Sequence, residues 1–302
     1  MYNKFDFPRE EDNDIDNNEN GNGKLEFLDY DEYRRIMNIN FDDSEKKQLP
    51  KDFINKTDLS IYKFATNKHD IKQRPMMEEH IIPQLGASTC IIGKSGSGKS
   101  NLLMNLMCRK DFYGKENSNS KTGYFDIVFF FSPTGDTDDL VKYLSDLIPK
   151  KRIVTEDFEE KLEHIFKVQE DIIKAKTFIK SPKILIIYDD IQSNAKFMRS
   201  KIFIRSFIAC RHSNITTILC GQSWTKTPRV CRLQASNIML FPSSQSEVDL
   251  LVEEYAPPHM TKKDFYELVK HATKERYNFL HICMRVDPEQ RFRKNLDTII
   301  NI

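Results

Sequence analysis

From residue 77 onward the chain alternates short apolar runs with longer segments in which apolar side chains recur at helical spacing. The segments that are rich in apolar and β-branched residues and have the length of buried strands are 88–92, 124–132, 183–188, 215–220 and 236–241. Helical spacing is clearest over 157–179, 197–211, 245–254 and 261–273. Strands that alternate with helices predict a mostly parallel sheet with helices on both faces. The predicted fold class is therefore α/β.

Weaker patterns complete the predicted domain. Residues 101–109 (NLLMNLMCR) read as the opening of a helix directly after the first strand, and 138–147 predicts another short helix. Residues 152–155 predict an edge strand, and 278–286 predict a last strand.

The first 76 residues differ in composition and predict an N-terminal extension. Residues 1–24 are dense in Asn, Asp, Glu and Gly, and they contain too little apolar surface to offset the entropy of ordering, which predicts disorder. Residues 25–39 are compatible with a short amphipathic helix, and 44–75 form a mixed, lysine-rich adaptor. The predicted division is an acidic, partly disordered extension and adaptor over 1–76 and a folded domain over 77–302.

A phosphate-binding loop follows the first predicted strand. The sequence GKSGSGKS over 93–100 has the glycine, lysine and serine spacing of a P-loop. A strand, a glycine turn and a helix N-terminus direct backbone N–H groups and the positive end of the helix dipole at one point, where a triphosphate can bind. This context disfavours the alternative of a glycine-rich turn that binds nothing. The folded domain is thus predicted to be a P-loop ATPase domain.

The P-loop residue types predict both cofactors, ATP and Mg²⁺. Lys99 supplies an ammonium for the β- and γ-phosphate oxygens, and the Ser100 hydroxyl supplies a ligand for Mg²⁺. Nucleotide contacts are predicted for nine consecutive residues: Gly93, Lys94, Ser95, Gly96, Ser97, Gly98, Lys99, Ser100 and Asn101.

Two carboxylates follow the third major apolar strand. The sequence KILIIYDD over 183–190 ends in Asp189 and Asp190. Ligands bind at the carboxyl edge of a parallel sheet. Asp189 is therefore predicted to orient the Mg²⁺ shell together with Ser100, and Asp190 to act as the base that polarises the attacking water. Without the P-loop, a solvated turn would be the preferred interpretation of this pair.

The next strand carries an amide at its end. Residues 215–220 are followed by Gly-Gln-Ser, which puts the Gln222 side chain near the expected γ-phosphate. Gln222 is predicted to hold the attacking water or to report hydrolysis to the rest of the domain. An exposed glutamine by itself carries little information.

Over roughly residues 77–302 the chain resembles the FtsK-HerA superfamily of DNA-pumping ATPases. Within it, the chain is most similar to the poxvirus-type genome-packaging ATPases of large DNA viruses, virophages and Polinton-like elements. Besides the P-loop, the resemblance rests on the strand ending Asp189-Asp190, the Arg211-His212 pair, Gln222, and the segment Arg232-x-x-x-x-Asn237.

The resemblance implies an additional-strand (ASCE, RecA-like) P-loop fold and ATP hydrolysis coupled to movement of double-stranded DNA into a capsid. It implies assembly into a ring, a hexamer or a pentamer, and a capsid or portal-vertex protein as a partner. The expected location is the host cytoplasm or viral factory, or the virion. Many members of the broader P-loop group have Glu at the place of Asp190, and the shorter Asp would require the water to sit closer.

The resemblance also implies an arginine finger that one subunit contributes to the nucleotide of the next. Arg211 is the first candidate for this catalytic residue, Arg232 the second and Arg205 the third. For each, a surface arginine paired with an acidic neighbour is an equal alternative.

Charge supports a partner that is a polyanion. The first 50 residues carry 7 Lys+Arg against 14 Asp+Glu, whereas the rest carry 39 against 31. Basic residues that suit phosphate contacts without base reading form two clusters: Lys226, Arg229 and Arg232, and Arg291, Arg293 and Lys294.

Other features exclude some classes. The six cysteines form no C-x-x-C pair and predict buried free thiols, and the lone Trp224 is predicted to be ordinary packing. The apolar runs are too short for a bilayer span, and no signal peptide is expected. Three alternatives stay open: a HerA-like cellular or plasmid DNA pump, a P-loop small-molecule kinase, and a nucleotide-binding structural protein without turnover.

Overall fold

A computed structural model describes residues 85–109, 112–114, 124–135 and 148–300. Its strands form one nine-stranded sheet. They are β1 Ser88–Ile92, β2 Ile127–Phe131, β3 Ile153–Val154, β4 Ile184–Asp189, β5 Ile215–Gly221, β6 Asn237–Leu240, β7 Leu280–Cys283, β8 Phe292–Lys294 and β9 Thr298–Ile299. The strand order is β3-β2-β4-β5-β1-β6-β7-β8-β9.

Seven α-helices lie within the described residues. They are α1 Lys99–Cys108, α2 Phe158–Lys176, α3 Ala195–Met198, α4 Lys201–Ile208, α5 Arg229–Gln234, α6 Gln245–Tyr255 and α7 Lys262–Ala272. Strands and helices alternate as the apolar pattern predicts, and the predicted α/β class is confirmed.

The sheet is covered on both faces, as the continuous apolar strands require. Along β4, Ile184, Ile186 and Tyr188 belong to one core cluster, which also contains apolar residues of α2, α4, α6 and α7. The alternate residues Leu185 and Ile187 belong to a second cluster, which contains the apolar face of α1. The period of two along a strand therefore divides one apolar run between two helical layers.

The strand order brings the two main motifs together at one edge. The six strands from β3 to β6 are mutually parallel, and β5 lies between β1, which leads into the P-loop, and β4, which leads into the acidic pair. Ile92 is level with Gly221, and Asp189 is level with Cys220. The residues that follow β1, β4 and β5 therefore share the carboxyl edge of the sheet, and the inserted strand β5 is the additional strand that the resemblance implies.

The end of the sheet departs from the simple prediction. Residues 278–286 contain only the short strand β7, and β7, β8 and β9 are antiparallel to their neighbours. Because β7 runs against β6, the turn that precedes it lies at the same edge as the P-loop.

One predicted helix is divided. Residues 197–211 were expected to form a single helix, whereas α3 ends at Met198, α4 begins at Lys201, and a 3₁₀ helix spans Cys210–Ser213. The Ser200 hydroxyl accepts a hydrogen bond from the Phe203 N–H, so a new helix begins there. The short helix α5 was not predicted. The predictions for 1–76 and 138–147 lie outside the described residues.

Two predictions about packing are confirmed. Five of the six free cysteines are buried and Cys108 is exposed, and Trp224 is fully buried. Among the described residues, none of the helices is both long and apolar enough for a bilayer crossing.

Candidate active site

The P-loop has the backbone conformation that its glycines allow. Gly96 and Gly98 have φ of 74° and 109°, a region that residues with a Cβ rarely adopt. A methyl group on Gly93 would lie 2.6 Å from Ser97 Oγ and 2.7 Å from Phe241 Cβ. The loop therefore packs tightly against the end of β6, and a side chain at Gly93 would displace it.

The Lys99 side chain lies inside this loop. It is buried, and its Nζ donates hydrogen bonds to the carbonyl oxygens of Gly93, at 2.7 Å, and Lys94, at 3.1 Å. The loop thereby holds a positive charge at the N-terminus of α1, where the helix dipole adds to it. This arrangement favours the binding of an anion.

The predicted site residues line one pocket. A cavity of about 270 Å³ at the carboxyl edge is bordered by the P-loop, by both carboxylates and by an amide and a phenol. Its lining residues are Ser95, Gly96, Gly98, Lys99, Ser100, Asn101, Asp189, Asp190, Gln222 and Tyr277. The structure thus brings together Lys99, Asp190 and Gln222 of the predicted catalytic set, and both predicted metal ligands.

Asp190 adopts an unusual conformation beside Gln222. Its φ and ψ are 50° and 18°, in the left-handed region, and its Oδ1 accepts a hydrogen bond of 3.1 Å from Gln222 Nε2. Such backbone strain in a residue with a side chain is concentrated at functional sites. Asp189 is buried in the strand end. Burial, and then the nearby Asp189 charge, raise the pKa of the Cys220 thiol well above its usual value, so this neighbour stays protonated.

Gln192 connects the segment after β4 with the loop after β5. Its Oε1 accepts hydrogen bonds from the Gln222 N–H, at 2.8 Å, and the Ser223 N–H, at 3.0 Å. Its Nε2 donates to the Ser223 carbonyl, at 2.6 Å, and to Thr227 Oγ1, at 3.1 Å. A methyl group on Gly221 would lie 2.6 Å from Gln192 Nε2, so the glycine makes room for this amide. Gln192 therefore fixes the backbone from which Gln222 reaches Asp190.

Residues 222–228, called the sensor loop below, are also bound to α6. Glu247 accepts hydrogen bonds from Ser223 Oγ, at 2.6 Å, and from the Thr225 N–H, at 2.9 Å. Two turns further along α6, Glu254 accepts a hydrogen bond of 3.1 Å from the indole N–H of Trp224. The sensor loop is therefore bound to α6 at two points, one near each end of the helix.

Arg232 is part of a buried ion pair, which the sequence interpretation did not predict. Its side chain is 8% exposed and that of Glu254 6%, and the two form an ion pair of 2.8 Å. The guanidinium also donates a hydrogen bond of 2.7 Å to the Thr227 carbonyl. Each of its three nitrogens is engaged inside its own subunit, which disfavours both the finger and the DNA-contact interpretations of Arg232.

The other two finger candidates differ in their surroundings. Arg205 forms an ion pair with Glu170 and lies over the Phe166 ring. Arg211 is exposed on the 3₁₀ helix that precedes β5. Because the nucleotide pocket lies beyond the other end of β5, Arg211 is at the amino edge of the sheet and outside the pocket of its own subunit. It keeps the accessibility that a finger acting on a neighbour requires.

The two basic clusters are only partly exposed. Lys226 and Arg229 are exposed, whereas Arg293 is 4% exposed. Lys294 pairs with Glu275 at 3.2 Å, and Arg291 is partly buried. Burial thus removes Arg293 from the predicted phosphate-contacting set.

The pocket fits a nucleotide with a shared metal ion. Mg²⁺ is usually bound by one or two carboxylates together with phosphate oxygens. Ser100 and Asp189 supply a hydroxyl and a carboxylate at the same cavity. Among the described residues, no cluster of three or more His, Cys, Asp or Glu side chains is suited to hold a metal ion by itself. The donor set therefore suits a metal ion that arrives with a triphosphate.

Sequence reasoning missed Gln192, Glu247 and Tyr277. Gln192 lies in a short 3₁₀ helix and Tyr277 in a turn, both without a known motif, and Glu247 resembles any acidic residue in the first turn of a helix. The one available signal was position, since Gln192 follows Asp190 by two residues.

The P-loop, the inserted strand and the acidic pair define an additional-strand P-loop ATPase, and the chain is an ATPase. The family model described as "Poxvirus A32 protein" matches residues 87–300. The chain belongs to this family, the poxvirus genome-packaging ATPases, and the predicted resemblance is confirmed.

Several solved structures are similar to the chain. The DNA-packaging ATPase B204 from Sulfolobus Turreted Icosahedral Virus has 18% identity and a TM-score of 0.46 over 67% of this chain and 94% of its own. The genome-packaging NTPase B204 from Sulfolobus turreted icosahedral virus 2 in complex with ATP-gammaS has 17% identity and a TM-score of 0.45 over 71% and 98%. The pCW3 conjugation coupling protein TcpA with ATPgS has 12% identity and a TM-score of 0.45 over 67% and 58%. No curated protein matches the chain.

Proposed function

We propose that this chain is an ATP-driven translocase that packages viral double-stranded DNA into a capsid, and that it hydrolyses ATP at sites shared between the subunits of a ring. Membership of the poxvirus genome-packaging family supports the DNA substrate and the capsid partner. The observation that carries the catalytic part is the single pocket lined by Lys99, Ser100, Asp189, Asp190 and Gln222.

The P-loop binds the triphosphate in this proposal. Backbone N–H groups of 93–101 cradle the phosphates, and Lys99 neutralises charge on the β- and γ-phosphates. Ser100 and Asp189 would hold Mg²⁺, which neutralises charge that develops on the transferred phosphoryl group. The carbonyls of Gly93 and Lys94 keep the ammonium directed into the loop, so that little reorganisation is needed when the anion binds.

Asp190 and Gln222 act on the attacking water. Asp190 accepts the proton or polarises the water, and its hydrogen bond with the Gln222 amide fixes the carboxylate orientation. Gln222 then reports the state of the γ-phosphate to the rest of the sensor loop. The bonds from the sensor loop to Glu247 and Glu254 support transmission of this signal to α6.

Arg211 completes the pocket of the neighbouring subunit in this proposal. Its exposure at the amino edge supports the role, because a finger has to be presented outside its own pocket. Lys226, in the sensor loop, and Arg229, directly after it, are exposed and would contact DNA phosphates. The ATPase domain is proposed to span 77–302, with 1–76 as an extension that docks or regulates.

Hydrolysis measured with and without double-stranded DNA tests the translocase. DNA-stimulated turnover that Lys99→Ala abolishes is the expected result. Phosphate transfer to a nucleoside or metabolite, with no response to DNA, would instead indicate a kinase.

A mixing experiment tests the shared site. Arg211→Ala and Asp190→Asn are each expected to be inactive, since a finger is worth on the order of 10³ to 10⁵ in turnover. A mixture of the two is expected to recover activity, because some interfaces then pair an intact finger with an intact pocket. If no mixing ratio recovers activity, Arg211 is not the finger.

A further inference from the structure

An exposed aromatic side chain forms one wall of the pocket, and none of the proposed catalytic steps involves it. Tyr277 lines the cavity together with the P-loop and is 52% exposed. Its Cδ1 would lie 3.3 Å from a methyl group placed on Gly98, the residue that directly precedes α1, so the ring lies close beside this glycine. An aromatic ring left half-exposed beside a phosphate-binding loop has surface that a ligand can contact.

The backbone of Tyr277 is in a conformation that costs energy. Its φ is 71°, which is uncommon for any residue with a side chain and a clear outlier for a bulky one. Such a conformation persists only where the surrounding structure determines it, and it is concentrated at ligand-binding sites.

Hydrogen bonds on both sides of Tyr277 hold this turn. Asn278 Nδ2 donates to the Glu275 carboxylate at 2.7 Å, and Lys294 Nζ donates to the same carboxylate at 3.2 Å. Asn295 Nδ2 donates to Asn278 Oδ1 at 3.0 Å. The turn is therefore tied to the residues around β8, and the aromatic ring is presented from a rigid support.

A positively charged side chain also lies over the Tyr277 ring. The Arg276 guanidinium carbon lies 4.7 Å from the centroid of the Tyr277 ring. Planar guanidinium groups and aromatic rings are the side chains on which nucleobases stack. Binding of phosphates and Mg²⁺ does not need an aromatic ring. The residues that would bind them therefore do not explain why Tyr277 lines the pocket.

We propose that Tyr277 is the stacking platform for the base of the bound nucleotide, with Arg276 supporting the ring. The inference rests on the proposed function of the pocket and adds the part of the ligand that the P-loop does not recognise. Every base has an aromatic face, so the platform favours nucleoside triphosphates over inorganic polyphosphate without selecting adenine strongly.

Equilibrium binding of ATP and of inorganic tripolyphosphate, measured by calorimetry on the full chain with Mg²⁺, separates the base from the phosphates. Tyr277→Ala is expected to weaken ATP binding by roughly 5- to 150-fold, the range for loss of one aromatic–base stack, and to leave tripolyphosphate binding within about twofold. Tyr277→Phe is the matched control, which keeps the ring and is expected to bind both ligands as the parent does.

Two results would overturn the proposal. An equal loss of both ligands in Tyr277→Ala would mean that the ring only supports Gly98, and unchanged ATP binding would mean that it does not touch the nucleotide. Lys99→Ala distinguishes failure of the proposed base contact from failure of the proposed phosphate site. It is expected to weaken both ligands, and if it weakens neither, the phosphate site is elsewhere and the platform falls with it.

A spectroscopic readout is independent of affinity. Trp224, the only native tryptophan, is fully buried away from solvent. Tyr277→Trp is expected to add a fluorescence signal that ATP quenches by stacking and tripolyphosphate does not. Equal quenching by both ligands contradicts a base contact.

Discussion

Replacement of Arg232 by alanine decides whether this residue is a catalytic finger or a structural cation. The guanidinium makes three hydrogen bonds to Glu254 and one to the Thr227 carbonyl, and both charged side chains are almost fully buried. Arg232→Ala leaves Glu254 buried, and within the described part of the chain the Trp224 N–H is then its one remaining hydrogen-bond donor. Removing one partner of such a pair costs about 3–5 kcal/mol of folding free energy.

Denaturant unfolding measures this cost, with two control variants. Arg229→Ala changes an exposed arginine of the same helix and should stay within about 0.5 kcal/mol of the parent. Combining Arg232→Met with Glu254→Gln should be less destabilising than Arg232→Met alone, because it leaves no unpaired buried charge while the new amide still accepts from Trp224. An unchanged unfolding midpoint with hydrolysis reduced by orders of magnitude would refute the structural role and restore Arg232 as a finger.

Three further predictions test the site and the fold. Gln192→Glu retains the two hydrogen bonds that Gln192 accepts but loses the two that it donates, and it brings a negative oxygen against the Ser223 carbonyl. The resulting small displacement of Gln222 should lower kcat roughly tenfold to a hundredfold and change ATP affinity far less. A loss of ATP affinity at unchanged kcat would contradict a positioning role. Burial, and then the nearby Arg293, lower the pKa of His281 from 6.5 to about 3, so the unfolded chain binds a proton that the native protein excludes. The contribution of His281 to the free energy of unfolding should be fully present at pH values above about 6.5 and should fall by about 2 kcal/mol by pH 5. His281→Gln should remove this part of the pH dependence. A parent and a variant with the same slope between these pH values would refute it. Of the six thiols, only exposed Cys108 should react with a thiol reagent under native conditions, and Cys108→Ser should remove that fast reaction. Fast labelling of a second cysteine would contradict the burial of the other five, which lie in β1, β5, β7, α5 and the 3₁₀ helix before β5.

The parts of the fold that sequence predicted are those where an apolar run has one interpretation. Residues of β1 and β4 are largely apolar or β-branched and are all buried, and a strand covered on both faces is the short element that buries every side chain. Strands β8 and β9 could not be found this way. They are three and two residues long, and β8 contains Arg293 and Lys294, whose charge suggests a surface loop.

The parts of the site that sequence predicted are those with fixed spacing along the chain. The P-loop needs only local order, and Asp189 and Asp190 needed only the rule that strand ends meet at one edge. The buried ion pair of Arg232 could not be predicted from the sequence, because its partner Glu254 lies 22 residues away and no local pattern indicates such a pair. Gln192 and Tyr277 are also defined only by contacts across the fold.

The structure of the chain bound to a non-hydrolysable ATP analogue and Mg²⁺ would show directly whether the P-loop and the acidic pair form one nucleotide site. We expect the triphosphate within the loop of residues 93–100, the metal ion between the Ser100 hydroxyl and Asp189, and Asp190 with Gln222 facing the γ-phosphate. A nucleotide bound elsewhere, or a γ-phosphate that neither carboxylate approaches, would contradict it.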